Sequence, residues 1–175
     1  LENQRLALFY QPILDVQSGK LISVEALVRI PSENGTLLEP TQFIQIAETV
    51  GLISCLGEWV IRQACRQQRK WLEAALPPVT IAVNVSPTQF RQPGFVSMLE
   101  SAVQEFSVEA ARLQLEVTES TVMDNVPETV ATLKRLRSMD IKIALDDFGT
   151  GYSSLSHLSS LPLNKLKIDQ SFILN

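Results

Sequence analysis

The chain has 175 residues, of which 45% are hydrophobic and 19% charged, a composition that supports one well-buried domain and excludes a disordered or fibrous protein. Its net charge of -4 excludes a surface built to bind duplex nucleic acid, because such a surface needs a basic face. No apolar run approaches the roughly 20 residues that span a bilayer, so no membrane segment is predicted and a cytoplasmic location is expected.

Strand-like segments alternate with segments of helical periodicity along the chain. In chain order we predict strands Leu6–Leu14 and Ile22–Ile30, helices Thr41–Val50 and Ile53–Ala75, strand Val79–Val85, helix Phe95–Glu105, strand Leu113–Thr118, helix Val126–Met139, strand Ile141–Asp146, helix Tyr152–Leu158 and strand Leu163–Ile168. This alternation predicts an α/β fold with a parallel sheet or barrel. The turn residues Ser18-Gly19 predict that the first two strands instead form an antiparallel hairpin.

Each strand after the hairpin turn has one apolar face and one face that carries charged or amide groups, because side chains alternate with a period of two. In the second strand Glu25, Leu27 and Arg29 share the less apolar face. The equivalent face of the later strands carries Asn84, then Gln114, Glu116 and Thr118, then Asp146, and finally Lys167 and Asp169. These groups lie near the C-terminal strand ends, where βα barrels place their chemistry.

A single carboxylate in a strand is usually satisfied by an ion pair, and that interpretation stays open for each position. A cluster of carboxylates repels itself, and burying it without compensation costs several kcal/mol per group. A divalent cation would compensate it directly, and hard oxygen ligands select Mg²⁺ or Mn²⁺ over softer metals. The candidate ligands are Glu25, Asn84, Glu116, Asp146 and Asp147. The alternative is a barrel whose polar interior forms only ion pairs.

An ordered series of motifs runs through the chain. It comprises Gln11-Pro12-Ile13, Glu25-Ala26-Leu27 with Arg29, Gly51-Leu52-Ile53, Asn84-Val85-Ser86, Glu116-Val117-Thr118-Glu119-Ser120, Asp146-Asp147-Phe148-Gly149-Thr150-Gly151-Tyr152-Ser153-Ser154 and Leu166-Lys167-Ile168-Asp169. In this series the chain resembles the EAL domain. That resemblance implies a modified TIM-type (β/α) barrel that hydrolyses the bacterial second messenger cyclic-di-GMP to linear pGpG.

The resemblance also implies roles for individual residues. Glu25, Asn84, Glu116 and Asp146 are similar to direct metal ligands, and Asp147 and Asp169 to ligands of a second metal or its waters. Lys167 is similar to the lysine that orients the attacking water, so the catalytic set is Lys167, Glu25 and Asp146. Arg29 resembles the arginine that meets a substrate phosphate, and Gln11 and Leu27 resemble further substrate contacts.

Glu119 occupies the position that, in the family, anchors the loop from Asp147 to Ser154 and couples metal binding to dimer contacts. Glu119 and Asp147 also fit a simpler role, in which they only cap the following helix or loop.

The resemblance covers residues 1–175 as the N-terminal two-thirds of such a domain and implies that roughly 70 further residues are absent, including a later glutamate. We therefore expect the fragment alone to be inactive and the parent protein to be a Mg²⁺- or Mn²⁺-dependent phosphodiesterase. The parent is expected to form a homodimer and to carry a fused GGDEF or sensory domain. The alternative is a non-hydrolysing cyclic-di-GMP receptor.

Overall fold

The chain begins with an antiparallel hairpin. The computed structural model describes residues 6–32, 34–149 and 161–172, and in it β1 (Ala7–Leu14) pairs with β2 (Leu21–Arg29). In the connecting turn the Asp15 carboxylate accepts hydrogen bonds from the backbone N–H and the hydroxyl of Ser18, and Gly19 takes a φ of 66°. The predicted hairpin is therefore confirmed.

The strands that follow the hairpin are parallel to β2 and to one another. They are β3 (Thr80–Val85), β4 (Leu113–Thr118), β5 (Lys142–Phe148) and β6 (Lys165–Ile168), and the described sheet keeps the order β1-β2-β3-β4-β5-β6. The connecting helices are α1 (Pro40–Thr49), α2 (Ile53–Glu73), α3 (Pro87–Phe90), α4 (Phe95–Glu105), α5 (Glu119–Met123) and α6 (Val126–Ser138).

The sheet is strongly curled. In a flat sheet β2 and β6 would lie about 19 Å apart, because four inter-strand spacings of about 4.8 Å separate them. Yet the Lys167 ammonium of β6 lies 3.5 Å from the Glu25 carboxylate of β2. The inner face of the sheet therefore wraps around a common centre, as in a part of a barrel.

The apolar faces of the strands pack outward against the helices. The central strands contribute fully buried side chains, and the helices meet them with equally buried residues of their amphipathic faces. This core includes Ile81, Val83, Leu113, Leu115, Ile143 and Leu145 from the strands and Ile61, Leu99, Leu133 and Leu136 from the helices. Each such side chain stabilises the fold by about 1.5–3 kcal/mol, so the sheet is a rigid scaffold for its inner face.

The structure differs from the predicted elements in a few places. Helices α3 and α5 were not predicted, because four and five residues are too short to show a helical period. β5 extends beyond Asp146 to Phe148, and β6 begins at Lys165. The predicted helix Tyr152–Leu158 lies outside the described residues. Within the described ranges no helix combines the length and the apolar character that a membrane crossing needs.

Candidate active site

Three carboxylates from three strands converge on one ammonium group at the centre of the curled sheet. The Lys167 Nζ atom lies 2.5 Å from Glu116 Oε2, 2.8 Å from Asp146 Oδ2 and 3.5 Å from Glu25 Oε2. The Glu116 side chain is fully buried, whereas those of Lys167, Glu25 and Asp146 are 18–23% exposed. The structure therefore brings together the predicted catalytic set and the predicted ligand Glu116.

Two amide side chains orient this cluster. Asn84 Nδ2 on β3 donates a 2.8 Å hydrogen bond to Glu25 Oε1. Gln114 Nε2 on β4 donates a 3.0 Å hydrogen bond to Glu116 Oε1, and both residues of this pair are buried. Because each amide binds the carboxylate oxygen that does not face Lys167, the other oxygen of each glutamate points toward the centre of the cluster.

Burial and charge act against each other in the cluster. Burial raises the pKa of the Glu116 carboxyl, while the hydrogen bond and charge of Lys167 act in the opposite direction. Burial on its own would lower the pKa of Lys167, but hydrogen bonds to Asp146 and Glu116 outweigh it and raise that pKa. The ammonium is therefore charged at neutral pH and holds the carboxylates together.

The donor set fits a hard divalent cation. If all groups are ionised, three carboxylates and one ammonium leave two negative charges uncompensated in a partly buried site. The donors are carboxylate and amide oxygens, which Mg²⁺ and Mn²⁺ prefer. In the described part of the chain no three acidic, histidine or cysteine side chains already surround a metal position. Glu116 Oε2 and Asp146 Oδ2 contact Lys167 instead. A cation would share these oxygens with the ammonium.

Asp147 departs from the strand alternation next to this cluster. Its φ is 53°, in the left-handed region, and the pairing register of β5 with β6 shifts between Leu145 and Phe148. The irregularity places Asp147 beside the same cavity as Glu116, although a regular strand would turn it away from Asp146. Its pKa is raised by burial and by the nearby charges of Asp146 and Asp169.

Asp169 follows β6 directly. Its carboxylate accepts a 2.9 Å hydrogen bond from the backbone N–H of Ser171, and hydrogen bonding to Ser171 lowers its pKa. The negative charge of Asp169 contributes to the raised pKa of Asp147, so the two carboxylates interact electrostatically at the C-terminal strand ends.

A cavity of about 520 Å³ opens beside the cluster, between the sheet and helices α1 and α2. Leu27 and Arg29 of β2 line it together with Asn84 and Glu116. The Arg29 guanidinium donates a 2.8 Å hydrogen bond to the carbonyl of Val28 and is part-buried. Gln11 is exposed and stands opposite Glu25 in the hairpin register. The predicted substrate contacts Leu27 and Arg29 thus line a cavity that reaches the carboxylates.

Glu119 is the first residue of α5 and is buried. Its Oε2 atom accepts a 3.3 Å hydrogen bond from the backbone N–H of Gly149, directly after β5. Capping of α5 is supplied instead by Thr118, whose hydroxyl accepts from the N–H of Thr121. Glu119 therefore contacts the chain that leaves Asp146 and Asp147.

Sequence reasoning placed Gln114 on the polar face of its strand but did not select it for the site. The period-two alternation with Glu116 was the available signal. Gln89 of α3 was not selected either. It is buried, it lines the cavity, and its Nε2 atom has no hydrogen-bond partner among the described residues. No sequence pattern marked Gln89, because its place depends on the packing of α3 against α2.

The chain matches known proteins over its whole length. The family model described as "EAL domain" matches residues 1–175. The chain is 45% identical over 173 residues to the bifunctional diguanylate cyclase/cyclic di-GMP phosphodiesterase MucR of Pseudomonas aeruginosa. It is 41% identical over 175 residues to the cyclic di-GMP phosphodiesterase NbdA of the same organism.

The shared regions are only parts of those proteins. The match with MucR covers 99% of this chain but only 25% of the length of MucR. The match with NbdA covers 100% of this chain but only 22% of the length of NbdA. Among solved structures it matches the MucR phosphodiesterase in complex with c-di-GMP, with a TM-score of 0.94 and 45% identity. That match covers 98% of this chain and 70% of the MucR chain.

Proposed function

Since the chain belongs to the EAL domain family, we propose that the intact protein carrying it is a metal-dependent phosphodiesterase that hydrolyses cyclic-di-GMP to linear pGpG. The observation that carries this proposal is the group of three carboxylates around Lys167, which borders a cavity lined by Arg29. The names of MucR and NbdA, which describe cyclic-di-GMP phosphodiesterases, support the same substrate.

The cofactor in this proposal is Mg²⁺ or Mn²⁺. Glu25, Asn84, Glu116 and Asp146 would hold one ion, and Asp147 with Asp169 would serve a second. When bound, such ions polarise phosphoryl oxygens and lower the pKa of a water molecule. The donor chemistry and the uncompensated negative charge of the cluster support this assignment.

Side chains of the protein would orient the water, bind the substrate and position the metal ligands. Lys167 would orient the attacking water through its Nζ–H groups and stabilise negative charge on the phosphate. Arg29 would bind a substrate phosphate, and Gln11 and Leu27 would contact the rest of the nucleotide. Glu119 would hold the chain after β5 through its hydrogen bond to Gly149, which keeps Asp146 and Asp147 in place.

The proposal also includes the setting of the domain. We place the intact protein in the cytoplasm as a homodimer with a fused GGDEF or sensory domain, and the bifunctional name of MucR supports such a fusion. Sedimentation of the intact protein and the sequence of the gene on both sides of this segment would test these points.

Hydrolysis assays on the intact protein test the function. With Mn²⁺ or Mg²⁺ present, chromatography should show cyclic-di-GMP converted to pGpG, and EDTA should stop the conversion. Glu25→Ala should remove turnover, whereas Arg29→Ala should chiefly raise KM, by about ten- to a hundredfold. Glu109→Gln is the control, because Glu109 is exposed and paired with Arg112.

The possible outcomes separate the two functional classes. Cyclic-di-GMP binding without hydrolysis under either cation would show that the protein is a receptor. Undiminished turnover in Glu25→Ala would show that the metal assignment is wrong. Neither binding nor hydrolysis would refute the proposed function.

A further inference from the structure

Gln114 donates a hydrogen bond to Glu116, the most deeply buried carboxylate of the site. The accepting oxygen is the one that faces away from Lys167. Gln114 is 4% exposed and Glu116 is 1% exposed, so water competes little for their hydrogen bond. The bond joins Gln114 Nε2 to Glu116 Oε1 at 3.0 Å, while Glu116 Oε2 lies 2.5 Å from Lys167 Nζ. The two oxygens of Glu116 thus have different partners.

The neighbouring strands leave space for this arrangement. In the parallel register Ala82 of β3 stands beside Gln114, and Ala144 of β5 stands beside Glu116. Both alanines are fully buried, so each long side chain has one small neighbour on the inner face. On the other side Lys142 of β5 stands beside Gln114, and Asn84 of β3 stands beside Glu116. Without a donor on Oε1, the Glu116 carboxylate could rotate or lean into this space.

We propose that Gln114 is a positioning residue, which fixes Glu116 Oε1 so that Oε2 alone is presented to Lys167 and to a bound cation. This inference rests on the proposed function, because it assigns Glu116 to the cation. A neutral amide suits the role, since it donates a hydrogen bond without adding charge. An ionised carboxylate at position 114 could not donate to Glu116 Oε1, because it has no N–H group.

The test compares two buried glutamines in the intact protein. Gln114→Met keeps the length of the side chain but removes the donor, and Gln114→Glu keeps its shape but replaces the donor with an acceptor. Gln68→Met is the matched control, because Gln68 is also buried but donates to the carbonyl of Arg112 between α4 and β4. Mn²⁺ affinity is measured by calorimetry, together with kcat and KM for cyclic-di-GMP.

Both Gln114 variants should weaken Mn²⁺ binding by about 10- to 100-fold and lower kcat more than they change KM. Gln68→Met should leave both quantities unchanged, even where it lowers the melting temperature. Wild-type Mn²⁺ affinity in a folded Gln114 variant would overturn the inference. An equal loss in Gln68→Met would also overturn it, since the effect would then follow from general destabilisation.

A crystal structure of a Gln114 variant separates this inference from the proposed function. If the unsubstituted protein neither hydrolyses cyclic-di-GMP nor binds Mn²⁺, the proposed function fails, but the position of Glu116 can still be read. Movement of Glu116 Oε2 away from Lys167 in the variant would support a positioning role. An unmoved Glu116 would contradict it.

Discussion

Lys167 is the residue on which the charge balance of the inner face depends. Its ammonium contacts Glu25, Glu116 and Asp146, and the Glu116 side chain is fully buried. A buried carboxylate that loses its cation is costly, so the stability of the metal-free protein should depend on this one side chain.

Replacing Lys167 with methionine should lower the free energy of unfolding by about 3 kcal/mol in the presence of EDTA, because three carboxylates lose their shared counter-charge. Lys165→Met is the matched control on the same strand, since no ion pair involving Lys165 is found among the described residues. Urea unfolding measures both variants. Equal stability of Lys167→Met and Lys165→Met would contradict the role of Lys167.

At the scale of elements, helix α2 approaches α3 closely at Gly57. A Cβ atom at position 57 would lie 2.1 Å from Gln89 Oε1 and 2.4 Å from Gln89 Nε2. Gly57 is buried in the helix, where glycine costs about 1 kcal/mol relative to alanine. The contact with Gln89 accounts for a glycine at this place.

The effect of Gly57→Ala should therefore depend on the residue at position 89. With Gln89 present the new methyl group forces the buried amide to move, whereas in a Gln89→Ala background it gains the helix propensity of alanine. We expect a coupling of at least about 1 kcal/mol between the two substitutions in a double-mutant cycle measured by urea unfolding. Additive effects would show that the close approach has no energetic consequence.

The backbone just after α2 is strained at Ala75, which has a left-handed conformation. Ala75 has a φ of 54°, and its N–H donates to the Leu72 carbonyl while the Leu76 N–H donates to the Trp71 carbonyl. This left-handed position after a helix is one that glycine usually occupies.

Ala75→Gly should raise the stability by about 0.5–1 kcal/mol, because it removes the cost of a left-handed alanine. The neighbouring Ala74 has an ordinary φ of -80°, so Ala74→Gly should instead destabilise the protein. Thermal unfolding of both variants gives the comparison. The account of this helix end would be wrong if Ala75→Gly were the less stable of the two.

Element types were largely predictable from the sequence, because each long strand and helix carries a clear period. The short helices α3 and α5 were missed, although local signals exist: the Ser86 hydroxyl accepts from the Gln89 N–H, and Pro87 follows at the first helical position. Thr118 caps the N-terminus of α5 in the same way, because its hydroxyl accepts from the N–H of Thr121. Capping residues, rather than periodicity, would have revealed both helices.

At the scale of the whole molecule, the described sheet ends in two strands with open edges. β1 and β6 stand at the ends of the strand order, and Leu166 and Ile168 of β6 are 41% and 58% exposed. An apolar edge strand favours pairing with another chain.

The 175-residue polypeptide should therefore self-associate as its concentration rises, as light scattering coupled to gel filtration would show. Leu166→Lys should shift the polypeptide toward the monomer, because a charge on the edge strand opposes pairing. Leu72→Lys is the control, since Leu72 is 58% exposed but lies on helix α2. A monomer at every concentration would refute this prediction.

The sequence predicts which strand faces carry the site residues, but not the contacts between those residues. Alternation along single strands indicated which face carries Glu25, Glu116 and Asp146, since that depends only on a local period. The bonds from Lys167 to all three depend on the curl of six strands, and the bond from Gln114 depends on side-chain conformation. Neither is encoded in a local pattern. The left-handed φ of Asp147 likewise has no marker in the sequence.

The central claim is that the carboxylates around Lys167 bind a divalent cation, and anomalous scattering from Mn²⁺-soaked crystals tests it most directly. We expect a manganese peak within about 2.0–2.6 Å of side-chain oxygens of Glu25, Asn84, Glu116 and Asp146. A peak elsewhere, with these oxygens still bonded only to Lys167 and the amides, would contradict the account.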